Sequence, residues 1–342
     1  MIKKTLLFTL VVAPLTAALL IGVTVWFLYQ QKYQGPEVVF TVRPGDTFGQ
    51  VNARLSQQGI ISNPRLFHWM ARYKQVMEKL RAGPFTIPSN STMPQVLDVL
   101  VYGQPNLSGV TIPEGRNMYQ VAGLLEEAGF GTKSSFIDLM KDPSFIQSLG
   151  VEGPTLEGYL FPETYKFAPG TSEREILSSM VQLFRRKVGT IAEGHPFLKP
   201  HEVVILASVV EKETGAKEER PQIASVFLNR LKKRMRLESD PTTIYGMWEN
   251  YNGNIRKDDL LRLTPYNTYK IPRLPLGPIA NPSLEAIQAV MNPAETEYLF
   301  FVSKNDGTHV FTKNYQDHVE AVNEWQRKRT NRTGKSWRQL KQ

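Results

Sequence analysis

Cysteine is absent from this chain of 342 residues. Without it the protein has no disulfides, no thiolate metal site, no cysteine nucleophile and no N-terminal lipoprotein cysteine. Its stability must therefore come from the burial of apolar side chains. The chain is long enough for this, because about 300 residues can form two domains with proper cores.

Motifs for metal, nucleotide and serine-hydrolase chemistry are missing as well. The sequence has no H-E-x-x-H motif, no G-x-S-x-G elbow, no S-x-x-K motif and no phosphate-binding glycine loop. The histidines are scattered without the spacing of metal ligands: His68, His195, His201, His309 and His318. The sequence therefore predicts that the protein uses no metal and no other cofactor.

Charged residues are missing from Thr5–Tyr29, a run of 25 residues. At about 1.5 Å per residue this run is long enough to cross a bilayer. Lys3 and Lys4 precede it, so the positive-inside rule places the N-terminus in the cytoplasm and the rest of the chain outside. A cleaved signal peptide is the alternative, but the apolar run continues through Trp26 and Leu28, past a plausible cleavage point. We therefore expect an uncleaved single-pass transmembrane anchor over residues 5–29.

Acidic residues are scarce at the other end of the chain. Asn323–Gln342 contributes +6 to a net charge of +9, with Glu324 as its one acidic residue. A basic C-terminal tail over 326–342 would suit an anionic partner, such as lipid head groups, acidic glycan or a protein face. A solvated terminus is the other interpretation. No nucleic-acid partner is expected, because this end is predicted to lie outside the cytoplasm.

The exported part is predicted to belong to the α+β class, beginning with a small strand–helix–helix–strand module over 38–105. The opening P-G-D-T and this layout resemble a LysM module, a type that binds N-acetylglucosamine-containing glycans, and a capped turn in a small α/β unit is the simpler interpretation. The predicted elements are a strand at Val38–Val42, a turn at Pro44-Gly45, a helix capped by Asp46 or Thr47 and reaching about Gln58, a helix from Pro64 to about Tyr73, a strand at Gly83–Pro88 and a short helix within Ser89–Gly103.

A larger mixed α/β domain is predicted over 106–325. Its expected elements are a strand at Val110–Ile112, helices at Asn117–Ala128, Ser134–Lys141, Ser172–Arg186, Val203–Thr214 and Glu219–Lys233, and two closing strands at Leu299–Val302 and His309–Phe311 around a turn at Asn305-Asp306-Gly307.

The helix at Val203–Thr214 contains two carboxylates, Glu211 and Glu213, in an otherwise apolar sequence. Winding it at about 100° per residue leaves only Ser208 and Lys212 on a narrow polar edge. A helix of this kind is normally buried, and carboxylates are rarely buried unless they are paired or used. Because burial raises the pKa of a carboxyl, the pattern suits a general acid that works near neutral pH.

A structural ion pair explains the same pattern, since four basic residues are available as partners: Lys212, Lys217, Arg220 and Arg230. Residues two apart on a helix point about 200° away from each other. One glutamate could therefore be the acid and the other an anchor, and the residues alone leave this choice open.

Several long motifs in fixed order resemble the MltG/YceG family of endolytic murein transglycosylases. They begin with L-E-G-Y-L-F-P-E-T-Y from Leu156 and E-K-E-T from Glu211. I-A-S-V-F-L-N-R-L from Ile223, M-R-L-E-S-D-P-T-T-I-Y-G from Met235, T-P-Y-N-T-Y from Thr264, L-P-L-G-P-I-A-N-P from Leu274 and M-N-P-A from Met291 follow. The resemblance covers nearly the whole chain, and it implies that the predicted anchor lies in a bacterial inner membrane with the catalytic part periplasmic.

The resemblance also implies a mechanism and its residues. Glu213, the second glutamate of E-K-E-T, is the expected catalytic acid, and Glu211 is expected to support it. The acid protonates the bond between N-acetylmuramic acid and N-acetylglucosamine and then takes the proton of the muramyl 6-hydroxyl, which closes a 1,6-anhydro ring. Further residues from the family motifs are expected to line the substrate cleft: Glu163, Tyr165, Glu211, Asn229, Ser239, Asp240, Thr242, Tyr245, Tyr266, Asn267 and Tyr269.

Three functions are compatible with these residues. The leading hypothesis is an endolytic transglycosylase that cuts nascent peptidoglycan strands, ends their elongation and cooperates with penicillin-binding synthases. The second is a non-catalytic glycan-binding scaffold for those synthases. The third is a muramidase in which Asp240 acts with Glu213, although Asp240 in S-D-P is also expected as part of a helix cap.

Overall fold

The computed structural model describes residues 12–43 and 45–328, and the chain divides into two compact units. The first unit holds the described residues up to Ser108 together with Lys166–Pro169. The second holds Gly109–Tyr165 and the described residues from Gly170 onward. The functional domains that we assign to 38–105 and 106–325 stay predictions.

The first unit contains the strand–helix–helix–strand order that the sequence predicts. Its elements are α1 (Ala13–Gln30), β1 (Val38–Val42), α2 (Phe48–Gln57), α3 (Pro64–Tyr73), β2 (Gly83–Ile87) and α4 (Met93–Tyr102). β1 and β2 are antiparallel, with Phe40 opposite Phe85. Both rings are buried in one core with Phe67 of α3. Whether this module binds glycan, as a LysM module does, stays a prediction.

Helix α2 begins with a capping box. The Thr47 hydroxyl accepts a hydrogen bond from the Gln50 amide, and the Gln50 side chain accepts one from the Thr47 amide. Of the two caps considered from the sequence, Thr47 is therefore the one used. Asp46 instead accepts a hydrogen bond from the Arg43 amide and forms an ion pair with Arg54. Pro44 of the predicted turn lies outside the described residues.

The prediction of a transmembrane anchor is wrong. Within residues 12–43 and 45–328, no helix is both long and apolar enough to cross a membrane. Helix α1, which lies within the predicted segment, has 18 described residues. The predicted single-pass localisation in the inner membrane is corrected with it. Residues 5–11 of the predicted segment lie outside the described residues.

The remaining elements are mainly helical. They are β3 (Ser108–Thr111), α5 (Met118–Glu127), α6 (Lys133–Lys141), α7 (Pro143–Ser148), β4 (Thr164–Phe167), α8 (Glu173–Val188), α9 (Pro200–Glu213), α10 (Arg220–Lys232), α11 (Asp240–Gly246), α12 (Lys257–Leu261), α13 (Leu284–Met291), β5 (Phe300–Ser303), β6 (His309–Thr312) and α14 (Tyr315–Val322). β3 pairs with β4, and β5 forms an antiparallel hairpin with β6 in which Phe301 faces Phe311. The described chain thus has the mixed α and β content that the sequence predicts.

Helix α9 is the central element of the second unit. Every residue from Val203 to Glu211 is buried, and the helix packs against α10 and α13. The expected polar edge is not solvated at Ser208. Its hydroxyl is buried, donates to the Ile205 carbonyl and accepts a hydrogen bond of 3.0 Å from the Ile279 amide. The apolar composition of α9 therefore reflects burial on all sides, as predicted.

The sequence motifs that begin at Leu156 and Leu274 contact each other beside α9. Gly158 has a φ of +87°, and a Cβ at this position would lie 2.5 Å from Pro278. The side chain of Asn281 accepts a hydrogen bond from the Leu160 amide and donates one to Glu157. A glycine is required here because the backbone is left-handed and the proline lies too close for a side chain.

Candidate active site

Helix α9 ends at Glu213, and the chain turns away at Thr214 in an extended conformation. The Glu213 side chain is half-buried and lines a cleft of about 430 Å³. The other lining residues come from α10, α11, the β5–β6 hairpin, α14 and the loops between them: Arg230, Leu237, Glu238, Asp240, Pro241, Tyr269, Phe301, Val302, Ser303, His309 and His318. A carboxylate at the end of a buried helix thus faces a space large enough for a ligand.

Ser239 holds the Glu213 carboxylate. Its hydroxyl donates a hydrogen bond to Glu213 Oε1. Ser239 is itself fixed, because its amide donates to the Thr268 hydroxyl over 3.0 Å and its carbonyl accepts from the Thr242 hydroxyl over 2.6 Å. The two threonine hydroxyls are 2.8 Å apart. The S-D-P-T and Y-N-T-Y motifs therefore interlock behind the glutamate and set its orientation.

Asp240 lies in the same cleft as Glu213. It is the first residue of α11, and Tyr269 donates a hydrogen bond of 2.9 Å to its Oδ1. Burial and the neighbouring Asp240 carboxylate raise the pKa of the Tyr269 hydroxyl, so Tyr269 stays a proton donor at neutral pH. The sequence predicts Asp240 as part of the cap of this helix, but the N-cap residue is Ser239, and its side chain forms no cap. The hydroxyl is engaged with Glu213 instead.

Arg230 forms part of the cleft wall, and its guanidinium donates hydrogen bonds to backbone carbonyls. Its Nε donates to the Leu299 carbonyl over 2.6 Å, and its Nη1 donates to the Leu237 carbonyl over 3.0 Å. Glu238 accepts a further bond over 3.3 Å. Burial lowers the pKa of the guanidinium, while Glu238 acts in the opposite direction. Arg230 therefore joins α10 to the loop before α11 and to the segment that leads into the hairpin. It also adds positive charge to the cleft that Glu213 and Asp240 line.

The sequence did not predict the histidines of the cleft. His309 of β6 is 2.7 Å from Glu219 through its Nδ1, and its amide donates to the same carboxylate. His318 of α14 stacks on Phe300, and burial followed by the charge of Arg230 lowers its pKa. His318 is therefore neutral at neutral pH. Both residues reach the cleft only because the β5–β6 hairpin folds back, and no spacing in the sequence signals this.

Glu211 points away from the cleft of Glu213, as residues two apart on a helix should. It is 1% exposed and forms a buried ion pair of 3.0 Å with Arg220. Its other oxygen accepts 2.6 Å and 3.3 Å hydrogen bonds from the hydroxyl and amide of Ser283. The carboxylate thus links α9 to α10 and α13, and the contacts favour anchoring over substrate binding.

Three predicted cleft residues are bound to other protein groups and do not line the cleft. The Asn229 amide donates to the carbonyls of Thr296 and Tyr298. Asn267 is fully buried and donates to the carbonyls of Asp259, Leu260 and Arg262. Thr242 is fully buried in the network behind Ser239. Their polar groups are satisfied by protein atoms, as buried polar groups normally are.

Glu163 and Tyr165 also lie outside the cleft lining. Glu163 is exposed, and its carbonyl accepts a hydrogen bond from the Ile112 amide. Tyr165 is 8% exposed and donates over 2.5 Å to the Phe161 carbonyl. Among the residues expected to bind substrate, the structure therefore brings Ser239, Asp240 and Tyr269 to Glu213.

Tyr245 and Tyr266 belong to a second groove of about 280 Å³ beside Tyr119 and Trp248. Under it lies Glu157, which is fully buried and accepts a hydrogen bond of 2.8 Å from the Met118 amide. Burial raises the pKa of Glu157 to about 8, although its hydrogen bonds with Met118 and Tyr245 favour the charged form. Glu157 is therefore mostly protonated at neutral pH.

Among residues 12–43 and 45–328, no three or more histidine, aspartate or glutamate side chains are grouped so that they could hold a metal ion. The polar groups that line the cleft are three carboxylates, a guanidinium, two imidazoles and hydroxyls. This set can transfer protons and orient hydroxyl-bearing ligands.

Comparisons with known proteins agree with one another. The model of the YceG-like family matches residues 40–324. An endolytic murein transglycosylase of Bacillus subtilis is 31% identical over 309 residues, which is 85% of either chain. One of Streptococcus pneumoniae is 28% identical over 322 residues, covering 84% of this chain and 58% of that longer protein. A crystal structure of a yceG-like protein from Listeria monocytogenes matches with a TM-score of 0.58 and 27% identity, covering 83% of this chain and 98% of that one. The chain belongs to the YceG-like family.

Proposed function

We propose that this protein is an endolytic murein transglycosylase, with Glu213 as its catalytic acid. The observation that carries the proposal is the position of Glu213, which ends a buried helix, faces a cleft of about 430 Å³ and is oriented by Ser239. Relatives named endolytic murein transglycosylases over most of the chain support the same activity. Peptidoglycan glycan strands are the substrate class.

The reaction needs one carboxyl group that acts first as an acid and then as a base. Protonated Glu213 donates its proton to the oxygen of the bond between N-acetylmuramic acid and N-acetylglucosamine as that bond breaks. The carboxylate then accepts the proton of the muramyl 6-hydroxyl while the hydroxyl oxygen bonds to the anomeric carbon. The products are an N-acetylglucosamine hydroxyl and a 1,6-anhydro end, and Glu213 is protonated again. The nucleophile is part of the substrate, so proximity replaces a second catalytic carboxylate.

The neighbours of Glu213 suit this sequence of proton transfers. The Ser239 hydroxyl keeps one carboxyl oxygen in place, so the group meets the bound sugar in a defined orientation. Arg230 supplies positive charge near the cleft while its N–H groups are held by backbone carbonyls. Asp240 is engaged by Tyr269 and serves in this proposal to shape the cleft.

A muramidase is the second candidate, because Asp240 lines the same cleft as Glu213. In that reaction a second carboxylate acts as nucleophile or base, and water enters the product. The two reactions therefore differ in the source of the oxygen that bonds to the anomeric carbon, which is the muramyl 6-hydroxyl in one and water in the other.

The finer parts of the proposal rest on the resemblance of the motifs. They are the preference for nascent strands, a role in ending their elongation and cooperation with penicillin-binding synthases. The proton transfers proposed for the cleft do not depend on them.

The test is digestion of purified glycan strands in water labelled with heavy oxygen, followed by mass spectrometry of the new ends. A transglycosylase gives anhydro ends, one water lighter than reducing ends and free of label. A muramidase gives reducing ends that carry the label. If the purified protein cuts neither nascent nor mature strands, the scaffold hypothesis replaces both enzymes.

A further inference from the structure

We propose that the stacked pair Tyr119 and Trp248, called here the aromatic ridge, is a sugar-binding subsite for the glycan strand outside the cleft of Glu213. The inference rests on the proposed function and adds a binding surface to it. The two rings lie 6.3 Å apart at an interplanar angle of 15°. Both are half-buried, so part of each ring remains available to a ligand.

The ridge stands between two grooves. One has a volume of about 280 Å³ and is lined by Tyr245, Tyr266 and the ridge, and the other has about 320 Å³. Tyr245 and Tyr266 contact each other edge to face, with ring centroids 4.8 Å apart. Tyr119, Trp248 and Tyr266 are half-buried at this surface, and Tyr245 is buried beside them. Aromatic rings used only for packing are normally covered, whereas these three are partly exposed.

Polar groups border the rings in the way a sugar requires. Lys141 lies 5.1 Å from the centre of the Tyr119 ring and 3.6 Å from Glu249. The Tyr119 hydroxyl is 3.5 Å from the same glutamate. A pyranose ring has an apolar face of C–H groups and a rim of hydroxyls, and an aromatic face with charged and hydroxyl groups at its edge matches both.

Helix α11 connects the ridge to the cleft. Asp240 and Pro241 at its start line the Glu213 cleft, while Tyr245 and Gly246 at its end line the groove beside the ridge. The rise from Asp240 to Tyr245 is about 8 Å along the axis. The two ends of this short helix therefore line the Glu213 cleft and the groove beside the ridge, and the proposal places one glycan strand at both.

The binding experiment uses Glu213→Gln, so that strands bind without being cut. Peptide-free glycan strands are titrated against Glu213→Gln alone and against the same protein carrying Trp248→Ala. We expect the added substitution to weaken binding about tenfold, equivalent to about 1.4 kcal/mol. Trp248→Phe should retain most of the affinity because it keeps an aromatic face. Phe197→Ala, which removes an exposed aromatic residue of the same unit outside the grooves, is the matched control and should bind normally.

A second experiment separates this inference from the proposed function. Trp248→Ala with Glu213 intact should show a KM raised about tenfold on long strands and an unchanged kcat, with a normal melting temperature. If wild type cuts strands and Trp248→Ala binds and cuts like wild type, the proposed subsite is refuted and the proposed transglycosylase activity is supported. Binding of free stem peptides that is as sensitive to Trp248→Ala as glycan binding would overturn the sugar assignment. If wild type cuts nothing, the proposed function fails, and the binding titration still shows whether the aromatic ridge binds glycan.

Discussion

Two glutamates only two residues apart have opposite environments at the end of helix α9. Glu211 is 1% exposed and bound to Arg220 and Ser283, whereas Glu213 is half-buried in a cleft and held by Ser239. The helical rotation of about 200° between them accounts for the difference. A short E-K-E-T motif can therefore hold an anchor on one side of a helix and an acid on the other. The contrast predicts that substitution of Glu211 lowers stability, whereas substitution of Glu213 lowers the rate of the reaction.

The largest effect on stability is expected at Glu211. Glu211→Gln should lower the free energy of unfolding by about 3–5 kcal/mol, because it leaves the buried Arg220 without its counter-charge. Arg220 depends on Glu211, since its Nε and Nη1 have no hydrogen-bond partner among the described residues. Denaturant unfolding measures the loss. Glu202→Gln is the control. Glu202 is half-buried in the first turn of the same helix, and glutamine can still accept its hydrogen bond from the Lys199 amide, so stability should change little.

A pH-dependent effect is expected from a third carboxyl, Glu157. Burial raises its folded pKa from 4.5 to about 8. The stability that its protonated form contributes is complete below pH 4.5 and is lost as the pH rises through about 8. The melting temperature of wild type should therefore fall between about pH 4.5 and about pH 8, and Glu157→Gln should flatten that part of the curve. Equal slopes for both proteins would show that Glu157 is not held protonated.

A smaller effect, on rate, is expected at Ser239. Ser239→Ala removes the hydroxyl that orients Glu213 and should lower kcat about tenfold, close to the 1.4 kcal/mol of one hydrogen bond to a charged group. KM should stay within about twofold, because the hydroxyl contacts the enzyme's own carboxyl. Ser239→Thr retains a hydroxyl and should recover most of the rate. A loss in KM instead of kcat would assign Ser239 to substrate binding.

The smallest effect is expected at Asp240. Asp240→Asn can still accept the hydrogen bond from Tyr269 and should lower the rate less than about tenfold. Its products should keep anhydro ends, as determined by mass spectrometry. A loss as large as that of Glu213→Gln would make Asp240 a second catalytic group and would favour the muramidase.

The sequence predicted the elements of the fold better than the lining of the cleft. Helix α9, its burial and the paired glutamates follow from local composition, which periodicity detects. His309 and Phe301 reach the cleft through the β5–β6 hairpin, and such long-range placement leaves no local pattern. Asn229 and Asn267 were expected to contact sugar, but an amide suits buried carbonyls equally well, and the sequence does not distinguish these uses.

The prediction of a membrane anchor rests on the absence of charge over Thr5–Tyr29, and it is wrong. Among residues 12–43 and 45–328, no helix is both long and apolar enough to cross a membrane. The length of an uncharged run is a property of composition and does not by itself fix the helix that its residues form.

The measurement that tests the separation of roles most directly compares Glu213→Gln with Glu211→Gln at a temperature where both are folded. The rate of anhydro-end formation per folded molecule is measured for each protein and for wild type. We predict that Glu213→Gln loses at least about a hundredfold with an unchanged melting temperature, as removal of a general acid should. Glu211→Gln should melt earlier but stay within about tenfold of the wild-type rate, as expected for an anchor. The opposite result, an active Glu213→Gln beside an inactive and fully stable Glu211→Gln, would contradict the account.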